Sequence, residues 1–101
     1  MTRDDIGGRE IADFAAARTI GSAPFRLAII LVPGFALMSF ASVIEPARAA
    51  NRMSGRKLYE WKLFGTSQGG VESNSGIEVA SNPVSDLDPA DYDMAIVCAA
   101  R

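Results

Sequence analysis

Residues 27–44 run from Leu27 to Ile44 without a single charge, and Pro33-Gly34 stands inside that run. The length just reaches what a membrane-spanning helix needs. Ala47-Arg48-Ala49 beyond it even has the small residues of a signal-cleavage site. The same run can also be the first buried strand and first helix of an α/β domain. Three features favour the second reading. Pro33-Gly34 would interrupt a spanning helix and its hydrogen bonds. The segment ahead is long, and Asp4, Asp5, Glu10 and Asp13 offset its arginines. The two halves also differ. Phe25-Arg-Leu-Ala-Ile-Ile-Leu-Val32 is aliphatic without alternation, as a strand buried on both faces is. From Phe35 to Asn51, Leu37, Met38, Ala41, Ile44, Ala47 and Ala49 suit a helix packed on that strand. A cytoplasmic protein without a membrane segment is expected.

At 101 residues and 49% hydrophobic content, one domain with a real core fits. Ten basic and twelve acidic residues are interspersed, which argues against this segment gripping nucleic acid alone. A loose basic group, Arg48, Arg52, Arg56 and Lys57, suits the carboxyl end of a helix. The single cysteine, Cys98, rules out an intrachain disulfide and fits a reducing compartment. Without histidine the chain cannot complete a Ser-His or Cys-His triad by itself.

The punctuation predicts a leader over 1–24, with a short helix near Glu10–Arg18 as one option, and a fold that begins at Phe25. Strand one is expected over 25–32 and helix one over 36–54, stopped by Gly55. Pro46 predicts a kink or break near Val43. Leu58–Phe64 reads as a second strand nearer the sheet edge. Gly65–Gly70 reads as a turn. Val71-Glu-Ser and Gly76–Ala80 read as short arms around Asn74-Ser75-Gly76. Asn82-Pro83 and Asp88-Pro89 mark a loop with room for one helical turn. Tyr92–Cys98 reads as another buried strand. The order implies an open parallel α/β sheet, and the stop at Arg101 suggests a fragment of a larger domain.

Ala28-Ile-Ile-Leu-Val-Pro-Gly-Phe35, with Ser39-Phe-Ala-Ser-Val-Ile-Glu-Pro-Ala-Arg-Ala-Ala-Asn-Arg52, resembles the amino-terminal domain of GlxA-type regulators of the AraC family. Leu58-Tyr-Glu-Trp61, Val71–Val79 and Tyr92–Cys98 fit the same pattern, so the resemblance covers about 25–100. It implies a flavodoxin-like, class I glutamine amidotransferase-like fold, similar to the deglycase and intracellular-protease group. It also implies a homodimer, a small-molecule effector and no cofactor. DNA would be bound only through helix-turn-helix motifs on a missing carboxyl-terminal part. The Glu-Pro-x-Arg wording looks like that of regulators of quaternary-amine catabolism, with glycine betaine or carnitine as effectors.

Enzymatic relatives of that fold place an acid after strand one and a Gly-Gly pair after the strand matching 92–98. Ser39 and Ala99-Ala100 occupy those positions here. A serine supplies no carboxylate to tune a nucleophile. Cys98 falls within a strand and reads as a buried structural thiol. A non-catalytic sensor is therefore expected, with a superfamily hydratase or deglycase as the rival. Ligands of open α/β sheets sit at the strands' carboxyl ends. The expected ligand site is Pro33, Gly34, Phe35, Ser39, Ala99 and Ala100. Glu45 is a second candidate acid, but pairing with Arg48 or Arg52 explains it more simply. Tyr59 and Trp61 are open as an aromatic cage, though covering strand two is the simpler role. The Gly69-Gly70 and Asn74–Gly76 turns lack the spacing and lysine of a phosphate loop.

Overall fold

Strand β1, Phe25–Leu31, lies between two neighbours, and Phe25, Leu27, Ala28, Ile29 and Leu31 are all buried. Burial on both faces is what the unbroken aliphatic run requires. The computed structural model describes residues 23–66 and 69–100. Residues 1–22 of the expected leader, and the helix considered within it, lie outside the described residues.

Helix α1, Leu37–Ser54, follows a turn in which Gly34 has φ +83°. That left-handed conformation is open to glycine without steric cost. Gly55 ends the helix as expected: it sits at φ +69°, and its N–H donates to Asn51 O and Arg52 O at 3.1 and 3.3 Å. The break expected near Val43 does not occur, and the helix runs on through Pro46. The missing N–H deprives only the Ser42 carbonyl, and Ser42 is on the exposed side, where water can replace the bond.

The buried face of α1 also differs from expectation. Ala47 and Ala50 are buried, and Phe40, Val43 and Ile44 pack against the core beside them. Met38 is 81% exposed and Ala41 is also exposed. At 3.6 residues per turn, positions 40, 43, 44, 47 and 50 share one stripe, and 38, 41 and 45 turn away from it.

Strands β2 (Tyr59–Gly65), β3 (Gly69–Glu72), β4 (Glu78–Pro83) and β5 (Met94–Cys98) complete a five-stranded sheet of order β3-β4-β2-β1-β5. β1 is parallel to both β2 and β5. β4 runs parallel to β2 over just Phe64–Asn82 and Gly65–Pro83. β3 is antiparallel to β4, so the sheet is mixed rather than fully parallel. The Asn74–Gly76 turn dictates this, because so short a connection can join only antiparallel strands. The hairpin adds outside β2. That puts β2 in the middle of the sheet, not near its edge.

Two 3₁₀ turns, Val84–Asp86 and Pro89–Asp91, fill the loop before β5, where one turn was expected. Asp88 caps the second, its Oδ1 accepting the Ala90 N–H at 3.0 Å. β5 is an edge strand rather than another buried one: Met94 is 49% and Val97 61% exposed, and only Cys98 is buried. Among the described residues its single partner in the sheet is β1. The uncharged run of 27–44 is thus divided between β1 and the first half of α1. Among the described residues no helix is long and apolar enough to cross a membrane.

Candidate functional site

The carboxyl ends of β1 and β5 lie side by side. Leu31 is in register with Cys98, and the Val32 N–H donates to Cys98 O at 3.0 Å, carrying the ladder one residue further. Pro33-Gly34 and Ala99-Ala100 therefore leave the sheet next to each other. Pro33, Ala99 and Ala100 are exposed and Gly34 is half-buried. Ser39 is exposed in the first turn of α1.

Phe35 does not present its side chain at these strand ends, where the ligand crevice was expected. It is fully buried, and its ring meets Phe40 edge-on at 5.8 Å. The positive φ at Gly34 turns the chain back over the sheet, and the apolar ring goes down into the core. The backbone of Phe35 bridges Ser73.

Sequence reasoning missed the hairpin's share of this end of the sheet. The Gly34 N–H donates to Glu72 O, and the Asn74 N–H donates to Phe35 O, each at 2.8 Å. Ser73 is buried, and its hydroxyl accepts from the N–H groups of Ser75 and Ile77, both at 3.2 Å. The Asn74-Ser75-Gly76 turn signal marked the hairpin, but nothing in it marked the contact with residues 34 and 35.

The side chains near this crevice offer little reactive chemistry. Burial pushes the Cys98 thiol above its ordinary range, which keeps it protonated and a poor nucleophile. Glu45 is exposed and held by Arg48, whose guanidinium donates to Oε1 at 2.8 Å. That hydrogen bond, and then the charge of Arg48, lower the Glu45 carboxyl below its usual range. Glu45 is thus an exposed paired carboxylate, not a poised acid. Tyr59 is buried with its ring edge-on to Phe25 at 5.9 Å, and burial raises its phenol. Trp61 packs half-buried against the same core. Both cover β2, as the simpler reading had it. Among the described residues no three His, Cys, Asp or Glu side chains gather as a metal site.

No protein-family model matches the chain. Curated proteins do. The chain is 36% identical over 75 residues to the HTH-type transcriptional regulator GbdR of Pseudomonas aeruginosa, covering 74% of this chain and 20% of that protein. It is 48% identical over 54 residues to the HTH-type transcriptional regulator GlxA of Rhizobium meliloti, covering 54% of this chain and 17% of that protein. Its relatives are helix-turn-helix transcriptional regulators. The HTH-type regulator CdhR of P. aeruginosa adds a 40% match over 53 residues, covering 52% of this chain and 16% of that protein. The fold is similar to part of a solved structure: the crystal structure of an AraC family transcriptional regulator from Pseudomonas putida superposes with a TM-score of 0.67. That match has 22% identity and covers 77% of this chain and 42% of the other. The chain spans about a fifth of the length of the GbdR proteins it matches.

Proposed function

We propose that this chain belongs to the effector-sensing and dimerising domain of a cytoplasmic, homodimeric transcription regulator, and that the domain is not catalytic. The frame is class I glutamine amidotransferase-like. In support, β2, β1 and β5 stand in the order second-first-third that opens a flavodoxin-like sheet, with the β3–β4 hairpin added beyond β2. DNA is bound by a helix-turn-helix part elsewhere in the protein.

The observation that carries the regulatory reading is the 36% identity with an HTH-type regulator across 74% of this chain. The non-catalytic reading draws on the crevice between β1 and β5. It presents Pro33, Gly34, Ala99 and Ala100, none with a titratable side chain, and exposed Ser39 stands where enzymatic relatives carry an acid. A small effector bound there contacts backbone and methyl groups. A quaternary amine such as glycine betaine or carnitine is the class proposed.

Binding shifts the population of DNA-competent dimers by its differential affinity for the two states. The test is operator binding by the intact protein, titrated with glycine betaine, carnitine and their tertiary-amine analogues. A change of about 5- to 150-fold in operator affinity is expected with one of them. Operator affinity indifferent to every quaternary amine would defeat the effector assignment. Turnover of an aldehyde or isonitrile substrate would defeat the non-catalytic one.

A further inference from the structure

The opposite end of the sheet carries a groove that the crevice between β1 and β5 does not use. Its volume is about 330 Å³, and it is lined by Arg26, Lys57, Glu60, Trp61, Lys62 and the Asp91-Tyr92 pair. These residues cluster at the amino ends of β1 and β2 and just ahead of β5. β1 and β2 pair Arg26 with Glu60 and Ala28 with Lys62. Side chains alternate along a strand, so Arg26, Glu60 and Lys62 project from the same sheet face.

The wall opposite is fixed in place. Tyr92 meets Phe64 edge-on at 5.7 Å. Next to it, the Asp93 N–H donates to Arg26 O, and Asp93 Oδ2 accepts the Arg26 N–H, each at 2.8 Å. A groove held on both sides needs little reordering to take a ligand.

Its charges are unbalanced. Lys57 engages Glu60 at 3.2 Å. Arg26 and Lys62 have no ion-pair partner among the described residues, and Asp91 is the remaining lining carboxylate. Among the lining side chains, two cations outside any ion pair face one such carboxylate beside the Tyr92 ring, and the Asp93 carboxylate stands behind them on the Arg26 N–H.

We propose that this groove binds a small organic acid with a flat apolar body. The planar fork of Arg26 suits a carboxylate, which can take two of its N–H groups at once. Lys62 supplies the second charge, and the body of the ligand lies along Tyr92. The volume sits at the low end of small-molecule sites, about 300–1,000 Å³, and suits a single-ring acid. The site is independent of the proposed effector crevice, which lies at the strands' other ends.

Trp61 lines the groove from β2, and because its side chain packs on the opposite face against the core, its backbone N–H is the signal followed in a proton–nitrogen correlation spectrum. The intact protein is titrated with benzoate and, separately, with benzamide, which keeps the ring and loses the charge. Benzoate is expected to shift the Trp61 signal saturably, and benzamide to bind at least tenfold more weakly. Arg26→Gln and Lys62→Gln should each weaken benzoate at least tenfold while circular dichroism stays unchanged. Lys62 is exposed, so its variant carries the test even if Arg26→Gln fails to fold. Equal response to benzamide, wild-type affinity in folded Lys62→Gln, or no shift at about 10 mM benzoate overturns the proposal.

Discussion

The side chain of Asn51 holds the backbone of Tyr59 from both sides. Its Oδ1 accepts the Tyr59 N–H at 2.8 Å, and its Nδ2 donates to Tyr59 O at 2.9 Å. The same oxygen accepts the Leu58 N–H at 2.8 Å. One amide from the last turn of α1 thus fixes where β2 begins. Asn51→Ala removes all three of these bonds beside the buried Leu58 and Tyr59, and the Leu58 N–H keeps only its 3.1 Å bond to Arg56 O. A loss of about 2–4 kcal/mol in urea unfolding is expected. Asn51→Asp keeps the acceptor and should cost less; if it is as damaging as alanine, the bracketing role is wrong.

Gly65 ends β2 because nothing larger fits. A Cβ there would run into Val71 Cγ2 and lie 2.8 Å from Ser81 Oγ. Gly65→Ala should destabilise by about 1–3 kcal/mol, as overpacking does. The double variant Gly65→Ala with Val71→Ala should recover part of that loss in thermal unfolding. Simple additivity of the two would contradict the clash.

Phe35 is a core residue despite its place in the Pro-Gly-Phe turn. Phe35→Ala is expected to cost about 3–5 kcal/mol. Phe35→Leu should retain most of the stability and leave effector response intact. Loss of response at full stability in Phe35→Leu would return the ring to the ligand site.

Cys98 and Tyr59 both have their ionisation raised by burial. The folded state then holds its protons at a pH where the unfolded chain releases them. These groups contribute full stability below the unfolded thiol's pKa of about 8.5. Stability should fall as pH rises beyond that, through the raised folded values. Cys98→Ser removes the thiol's share, so its alkaline decline should begin nearer the tyrosine range. In the native protein Cys98 should react with iodoacetamide far more slowly than in urea.

Much of this fold was legible where local chemistry decides it. The aliphatic run of Phe25–Val32 leaves no solvent face, and Gly55 and Asn74–Gly76 are turn chemistry with short reach. The misreadings share a different cause. Tyr59-Glu-Trp-Lys62 alternates like an edge strand, yet the β3–β4 hairpin docks beyond it and makes it central. Met94–Val97 is as apolar as β1, but its exposure depends on which neighbours cover it. On α1, apolar character alone picked Met38 and Ala41; the register set by Ala47 and Ala50 chose Phe40 and Val43. Of the candidate site, the approach of residues 33–34 to 99–100 was readable from strand order. The hairpin contact was not, because Gly34 meets Glu72 and Phe35 meets Asn74 across a long stretch of sequence and through backbone atoms alone.

That meeting has a mechanical meaning. The turn after β1 gives a hydrogen bond to the hairpin at Gly34 and receives one back at Phe35, so the two segments are latched in both directions. The mouth of the crevice is therefore half of a clasp whose other half is the hairpin. Opening it means unseating β3 and β4 as a unit, and the amides of Gly34 and Asn74 should exchange with solvent at a common rate. A molecule seated at the mouth would grip the far edge of the sheet without touching it.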